Sequence, residues 1–166
     1  MIAEATLREI VSDDIQVRLI EPDIYSIYSQ PENVGSYDKF GNVYDVVACN
    51  RLYNRIMWGY WISDFRTLCL DALTSTKDGW VLDLGCGSLA FTAQTYDQYS
   101  ERPIVMLDQS IRLLRMARER MVQIHGRVPD NVVFFHGDAL DLPFKPQSFT
   151  TIVSMNLLHV LQDPGK

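Results

Sequence analysis

The chain has 166 residues, of which 47% are hydrophobic, and its formal net charge is −6. This length supports one compact domain with a substantial core and is too short for two domains of ordinary size. The negative charge repels a phosphate backbone, so we expect no general nucleic-acid binding.

The cysteines Cys49, Cys69 and Cys86 lie far apart and form no Cys-x-x-Cys pair. This spacing argues against a zinc site and against a disulfide framework, and we predict no metal site. No apolar run reaches the roughly 20 residues that span a bilayer. The acidic N-terminus also does not resemble a signal peptide. We therefore expect a cytoplasmic protein with no membrane span.

Residues 1–75 are predicted to form an N-terminal helical segment. A short helix is expected over Ala3–Val11, and apolar residues recur at steps of three and four from Val43 to Leu73, with a break at Gly59. Aromatic side chains are dense here, which core packing explains; a lid over a ligand is the alternative. These aromatic residues are Tyr44, Tyr53, Trp58, Tyr60, Trp61 and Phe65.

Residues 76–166 alternate short apolar strands with amphipathic helices. Strands are predicted over 80–84, 104–107, 132–135 and 149–154, and helices over 90–99, over 111–125 and from about residue 157. Ser110 is placed to cap the second of these helices. Its arginines, interpreted as a solvated face, are Arg112, Arg115, Arg118 and Arg120. The alternation predicts a doubly wound, Rossmann-like α/β fold with a parallel sheet, which forms one structural unit with the N-terminal segment.

Ligands of such folds bind outside the carboxyl ends of the strands, so the residues just after each strand are the candidate site. Asp83 lies at the end of the first strand, and the turn Gly85-Cys86-Gly87 follows it. Glycines let the backbone turn tightly and approach a ligand closely. The turn alone is ambiguous, because the spacing Gly85-x-Gly87-x-x-Ala90 also fits a dinucleotide fingerprint.

Two carboxylates follow the next two strands. Asp108 stands 21 positions after Gly87 and can accept hydrogen bonds from both ribose hydroxyls, which argues against a 2′-phosphate. Capping of the following helix is an alternative role that is compatible with this one. Asp138 would lie beside the pocket for the base and can accept from an adenine amino group. Together the two residues favour an adenosyl ligand. Asp108 does not separate NAD from S-adenosylmethionine, whereas Asp138, with the additional polar group of Asp83, favours S-adenosylmethionine.

Four stretches in order resemble the motifs of class I S-adenosylmethionine-dependent methyltransferases of the type-11 group. They are Val81–Gly87, Met106–Leu114, Gly137–Phe144 and Phe149–Ser154, the last continuing to Leu158-His159. A weaker similarity over residues 44–66 is to the ubiquinone/menaquinone C-methyltransferases. The resemblance implies an S-adenosylmethionine-dependent methyltransferase that acts on a small-molecule acceptor and forms S-adenosylhomocysteine.

The resemblance also implies the cofactor contacts. Residues after the first strand would line the methionine and ribose side, those after the second would hold the ribose, and those after the third would contact adenine. Residues after the fourth would border the sulfonium, and a tyrosine would close over the cofactor. The implied residues are Asp83, Gly85, Cys86, Gly87, Asp108, Gln109, Asp138, Ala139, Ser154, Met155, Tyr44 and Tyr53. No catalytic residue is assigned; His159 is a candidate base, with structural packing as its alternative.

The sequence departs from the family pattern at two positions and in its strand count. Leu89 replaces a third glycine and is expected to narrow the methionine end, and Thr150 replaces an acid at a position that tends to be structural. Only four strands are predicted, fewer than the family's sheet has. We therefore expect an exposed apolar edge on the fourth strand, covered by a second chain or another copy of this one, in a truncated or trans-completed protein. The alternatives are a non-catalytic methyltransferase-like partner subunit and an NAD-binding oxidoreductase domain.

Overall fold

The computed structural model describes residues 4–31, 61–75, 78–96, 102–155 and 157. The helices are α1 (Glu4–Ile10), α2 (Ile62–Thr74), α3 (Ala93–Tyr96) and α4 (Ile111–His125). The strands are β1 (Arg18–Glu21), β2 (Ile24–Ser26), β3 (Trp80–Leu84), β4 (Ile104–Asp108), β5 (Val132–His136) and β6 (Phe149–Val153). Within these residues, the helices are all too short or too polar to cross a membrane.

All the strands belong to one sheet in the order β1-β2-β5-β4-β3-β6. The strands β2, β5, β4, β3 and β6 run parallel to one another, and β1 pairs antiparallel with β2. The strand order reverses beside β3, because β4 lies on one side of it and β6 on the other. This arrangement confirms the predicted Rossmann-like α/β class and brings the carboxyl ends of β3, β4 and β5 to one edge.

The hairpin β1–β2 was not predicted from the sequence. Its turn contains Asp23, which adopts a left-handed backbone with a φ of 66°. Strand β2 runs parallel to β5 and places Ser26 opposite His136. The N-terminal segment is therefore not helical throughout, because it adds two strands to the sheet.

Two arginines of α4 reach this hairpin. Arg115 forms an ion pair with Glu21 at 2.6 Å, and Arg118 forms one with Asp23 at 3.4 Å. The sequence pattern favours a solvated face for four arginines of α4. For Arg115 and Arg118 this interpretation is wrong, because their ion pairs connect α4 to the hairpin. Each such partly exposed pair contributes little stability, about 1 kcal/mol or less.

The two faces of the sheet carry separate core clusters, because successive side chains of a strand point to opposite faces. The first cluster packs Met106 of β4 against α2, α3 and α4. The second cluster packs its neighbours Val105 and Leu107 against Leu7 of α1 and against Phe144. Both faces of the sheet are thus covered, as a buried parallel sheet requires.

The sequence predicts the bounds of α4 correctly and the start of α3 less accurately. Ser110 caps α4 as predicted, since its Oγ accepts from the Leu113 amide at 3.2 Å. Gly126, with a φ of 77°, ends the helix. In contrast, the helix predicted over 90–99 begins only at Ala93, because residues 90–92 form a turn. Of the helical pattern predicted from Val43 to Leu73, residues 43–60 lie outside the described residues.

Strand β6 pairs with β3 on one side. In the part of the chain that the structure describes, no strand pairs with its other side. Its side chains alternate, so that Thr151 and Val153 are buried while Ile152 is 57% exposed. The expected second chain, or second copy, that covers this strand stays a prediction.

Candidate functional site

Asp108, the last residue of β4, joins two backbone segments at the carboxyl edge of the sheet. Its Oδ2 accepts a hydrogen bond from the Gly87 amide at 2.9 Å, and its Oδ1 accepts one from the Ser110 amide at 2.8 Å. The carboxylate therefore links the glycine turn to the start of α4. A carboxylate oxygen accepts more than one hydrogen bond, so both oxygens can also accept from a ligand.

The glycine turn is fixed to β4 and leaves space on one side. The amides of Gly85 and Cys86 both donate to the Leu107 carbonyl, at 2.9 and 3.0 Å. Gly85 has a φ of 72°, and a Cβ there would lie 2.7 Å from the Leu157 side chain. Gly87 has a φ of 57°, and a Cβ there would meet no atom of the described residues within 4 Å. The turn thus requires glycine for its backbone and presents Gly87 to open space.

The third predicted carboxylate, Asp138, is held beside Asp108. Its Oδ1 accepts from the Leu140 amide at 2.9 Å, and its Oδ2 accepts from the Gln109 side-chain amide at 3.3 Å. The Gly137 amide donates to the Asp108 carbonyl at 3.2 Å. The residues predicted after β4 and after β5 are therefore directly connected. Ala139, next to them, is half-buried against the second core cluster.

Asp83 is the most deeply buried of the predicted acids, with 3% of its surface exposed. Its Oδ2 accepts from the Tyr96 hydroxyl at 2.5 Å. Burial raises the pKa of Asp83 to about 7; the Tyr96 hydrogen bond opposes this and the charge of Asp108 adds to it. A carboxyl with such a pKa is partly protonated at neutral pH. Sequence reasoning missed Tyr96, because nothing in a local pattern pairs it with a strand residue 13 positions earlier.

Cys86, between the two glycines, is half-buried beside the same acids. Burial raises the pKa of its thiol well above the usual value, and the charges of Asp108 and Asp83 raise it further. The thiol is therefore protonated at neutral pH and is a poor nucleophile. Its position in the turn is consistent with a packing or ligand-lining role.

A family model for a methyltransferase domain matches residues 81–166. The match covers more than half of the chain and includes the glycine turn, Asp108 and Asp138. The chain belongs to the methyltransferase domain family.

Two known proteins are similar to this methyltransferase domain. The 27-O-demethylrifamycin SV methyltransferase of Amycolatopsis mediterranei (strain S699) is 26% identical over 144 residues, which cover 80% of this chain and 50% of that protein. A crystal structure described as a candidate S-adenosyl-L-methionine-dependent methyltransferase from Methanococcus maripaludis superimposes with a TM-score of 0.59 at 17% identity. That structural match covers 80% of this chain and 56% of the other, and it supports the fold. The chain thus spans about half the length of each.

The departure from the family pattern at Leu89 has a structural explanation. Leu89 adopts the left-handed backbone that glycine favours, with a φ of 55°. Its side chain is 2% exposed and packs in the first core cluster with Ala93 and Tyr96. The expectation that Leu89 narrows the methionine end is therefore wrong, because the side chain points into the core. Arg120 of α4 holds the preceding residue, donating to the Ser88 carbonyl and, at 3.0 Å, to its hydroxyl.

Thr150, at the position of the family's acid, belongs to a structural network of this methyltransferase domain. Its hydroxyl donates to the Asp78 carbonyl at 2.8 Å and accepts from the buried guanidinium of Arg102 at 2.8 Å. Arg102 also donates to the Gly79 carbonyl at 3.1 Å and to the Thr151 hydroxyl at 2.9 Å. The network lies at the amino end of β3, which is the sheet edge opposite the site.

Sequence reasoning also missed a histidine at the end of β5. His136 is fully buried, and its Nε2 lies 2.9 Å from the Gln109 carbonyl. Its Nδ1 lies 3.1 Å from the Ser26 hydroxyl, which in turn accepts from the Tyr28 amide at 3.0 Å. No local pattern could have found this contact, because Ser26 and His136 are 110 positions apart.

The remaining predicted site residues lie near β6 or outside the described residues. Ser154 is exposed just after β6, and Met155 is half-buried against the first core cluster. Tyr44, Tyr53 and His159 fall outside the residues that the structure describes. Their predicted roles as lid and candidate base stay predictions.

Proposed function

We propose that this domain binds S-adenosyl-L-methionine at the carboxyl edge of β3, β4 and β5. The observation that carries the proposal is the double role of Asp108, which accepts from the Gly87 and Ser110 amides. This geometry fixes a carboxylate next to the open space at Gly87. A fixed carboxylate at the end of the second strand of such a unit is suited to the two hydroxyls of a ribose.

The other site residues fit the remaining parts of the same ligand. Asp138 stands one strand further along and can accept from the amino group of an adenine. The glycine backbone at Gly85 and Gly87 lets a ligand approach without steric conflict from a Cβ. The two carboxylates therefore suit the ribose hydroxyls and the amino group of an adenosyl group, because each of these groups donates hydrogen bonds.

We further propose that the protein containing this domain transfers a methyl group to a small-molecule acceptor. The bound cofactor supplies an activated methyl group on a sulfonium, which is also a good leaving group. The task of the chain is then to hold donor and acceptor in line at short range. The 26% identical relative is named for a small-molecule acceptor, which supports the same class of acceptor here.

The test of the cofactor assignment is calorimetric titration of the chain with S-adenosylhomocysteine and, separately, with NADH. The chain should bind S-adenosylhomocysteine and melt at a higher temperature in its presence, whereas NADH should have neither effect. Asp108→Asn should weaken S-adenosylhomocysteine binding by at least about tenfold, since hydrogen bonds to a charged acceptor contribute roughly 1.5–3 kcal/mol.

The matched control is Asp71→Asn, which removes an exposed carboxylate on α2. This variant should bind S-adenosylhomocysteine as the unmodified chain does. Stabilisation by NADH alone would instead support an oxidoreductase domain. Equal losses of affinity in the two variants would contradict the role of Asp108.

A further inference from the structure

The β1–β2 hairpin reaches the same sheet edge as the site. Strand β2 runs parallel to β5, with Ser26 opposite His136 at the carboxyl ends of the two strands. The carboxyl end of β2 therefore opens beside the carboxyl ends of β5 and β4. Tyr28 follows two residues later, where site residues of this fold are found.

A chain of hydrogen bonds runs from the hairpin to Asp138, and its directions can be assigned. A carbonyl oxygen only accepts, so the His136 Nε2 carries the proton and donates to the Gln109 carbonyl. The His136 Nδ1 then accepts from the Ser26 hydroxyl, whose oxygen accepts from the Tyr28 amide. Gln109 finally donates through its side-chain amide to the Oδ2 of Asp138.

The Tyr28 side chain lies against the same group of residues. Its ring meets the His136 ring edge-on, with centroids 4.9 Å apart. Burial raises the pKa of Tyr28, the charge of Asp138 raises it further, and a hydrogen bond with the Gln109 side chain lowers it. The hydroxyl is therefore protonated at neutral pH and lies close to both Gln109 and Asp138.

The orientation of the Asp138 carboxylate depends on this group. Its Oδ1 is held by the Leu140 amide of the same loop, whereas its Oδ2 is held by Gln109. Gln109 is in turn held through its carbonyl by His136. Loosening the hairpin end of the chain would therefore let Gln109 and Asp138 turn away from their present positions.

We propose that the β1–β2 hairpin is part of the cofactor site, where Ser26, Tyr28 and His136 position Gln109 and Asp138 to recognise the amino group of the base. They are positioning residues, since they act through Asp138. This inference rests on the proposed function, because it assumes an adenosyl ligand. It assigns part of the positioning of Gln109 and Asp138 to Ser26 and Tyr28, which lie outside residues 81–166, the range that the family model matches.

The test compares two ligands in the full chain by calorimetric titration. S-adenosylhomocysteine carries the adenine amino group, and S-inosylhomocysteine carries an oxo group in its place. Tyr28→Phe and Ser26→Ala should each weaken binding of the first ligand by about 3–10-fold, as expected for a lost hydrogen-bonded position. Binding of the second ligand should change by less than about twofold, so that discrimination between the bases falls.

Two reference variants complete the experiment. Asp138→Ala should abolish most of the discrimination, and Tyr28→Phe should have no further effect on discrimination in that background. Leu19→Ala alters a 54% exposed side chain of the same hairpin and should change neither affinity.

Equal weakening of both ligands by Tyr28→Phe and Ser26→Ala would assign these residues a purely structural role and overturn the inference. The inference would also be overturned if Asp138→Ala lost discrimination between the two bases while Tyr28→Phe and Ser26→Ala kept it. That result would leave the proposed function intact. Equal affinity of the unmodified chain for the two ligands would refute recognition of the amino group. Binding of neither ligand by the unmodified chain would refute both the inference and the proposed function.

Discussion

Asp83 is an acid whose environment favours its neutral form. Burial raises its pKa in the folded chain to about 7, whereas an unfolded aspartate has a pKa of about 3.9. Below about pH 4 the group is protonated in both states. Between about pH 4 and pH 7 the folded chain keeps a proton that the unfolded chain has released. The contribution of this group to stability is therefore present in acid and is lost as the pH rises through that window.

Asp83→Asn removes this titration and is expected to change the pH dependence of stability. The free energy of unfolding of the unmodified chain, minus that of the variant, should fall by up to about 1.4 kcal/mol per pH unit between pH 4 and pH 7. The difference should be constant above about pH 8. Urea unfolding of both chains across this range measures it. A difference that rises with pH, or does not change, would contradict the raised pKa.

Leu89 combines a buried side chain with a backbone that glycine prefers, so two substitutions separate the two effects. Leu89→Ala loses the packing and keeps the left-handed backbone, and it should destabilise by about 2–5 kcal/mol. Leu89→Gly loses the same packing but removes the strain of the left-handed backbone. It should therefore be more stable than the alanine variant by about 1 kcal/mol. Denaturant unfolding tests the order. An alanine variant as stable as the glycine variant would argue against strain at Leu89.

At the scale of elements, Arg102 joins three segments at the amino end of β3. Its guanidinium donates to the Leu73 carbonyl of α2, to the Gly79 carbonyl before β3, and to the Thr150 and Thr151 hydroxyls of β6. These acceptors surround a side chain that is nearly fully buried. Losing the guanidinium would remove this donor from two buried acceptors, the Leu73 carbonyl and the Thr151 hydroxyl.

Arg102→Met is expected to lower the free energy of unfolding by roughly 2–4 kcal/mol, because hydrogen bonds from a charged donor to buried acceptors are lost. Arg127→Met is the matched control, since Arg127 is exposed and pairs with the exposed Asp130. It should change stability by at most about 0.5 kcal/mol. Equal effects of the two substitutions in chemical unfolding would count against the network.

The elements that could be predicted are those with local signals. Helix α4 begins after a capping serine and ends before Gly126, and both signals are read from neighbouring residues. The site residues after β3, β4 and β5 follow from the rule that ligands bind at strand carboxyl ends. The hairpin β1–β2 has strands of four and three residues, too short for an alternating pattern to be recognised. Its contact with His136 depends on tertiary packing, which local sequence does not encode.

At the scale of the whole molecule, the N-terminal segment contributes to the core as well as to the sheet. Leu7, Ile10 and Val11 cover the face formed by Leu107 and Phe135, among others. Ion pairs from α4 reach the hairpin on the other side. Residues 4–31 and the α/β part therefore share the second core cluster. That the two parts form a single structural unit stays a prediction.

Deleting residues 1–27 is expected to abolish cooperative unfolding, because it uncovers a whole face of the sheet and the edge of β5. Leu7→Ala is the milder test of the same packing and should cost about 2–4 kcal/mol. Circular dichroism during urea unfolding measures both. A shortened chain that unfolds at the same urea concentration as the full chain would show that the two parts are independent.

The site that we propose for an adenosyl cofactor is the carboxyl edge of β3, β4 and β5. Heteronuclear NMR of the isotope-labelled chain during titration with S-adenosylhomocysteine tests it most directly. Binding at this edge should shift the amide resonances over residues 85–88, 108–110 and 137–140, while those of Trp80, Asn131 and Phe149 at the opposite edge stay in place. Absence of shifts, or shifts confined to that opposite edge, would contradict it.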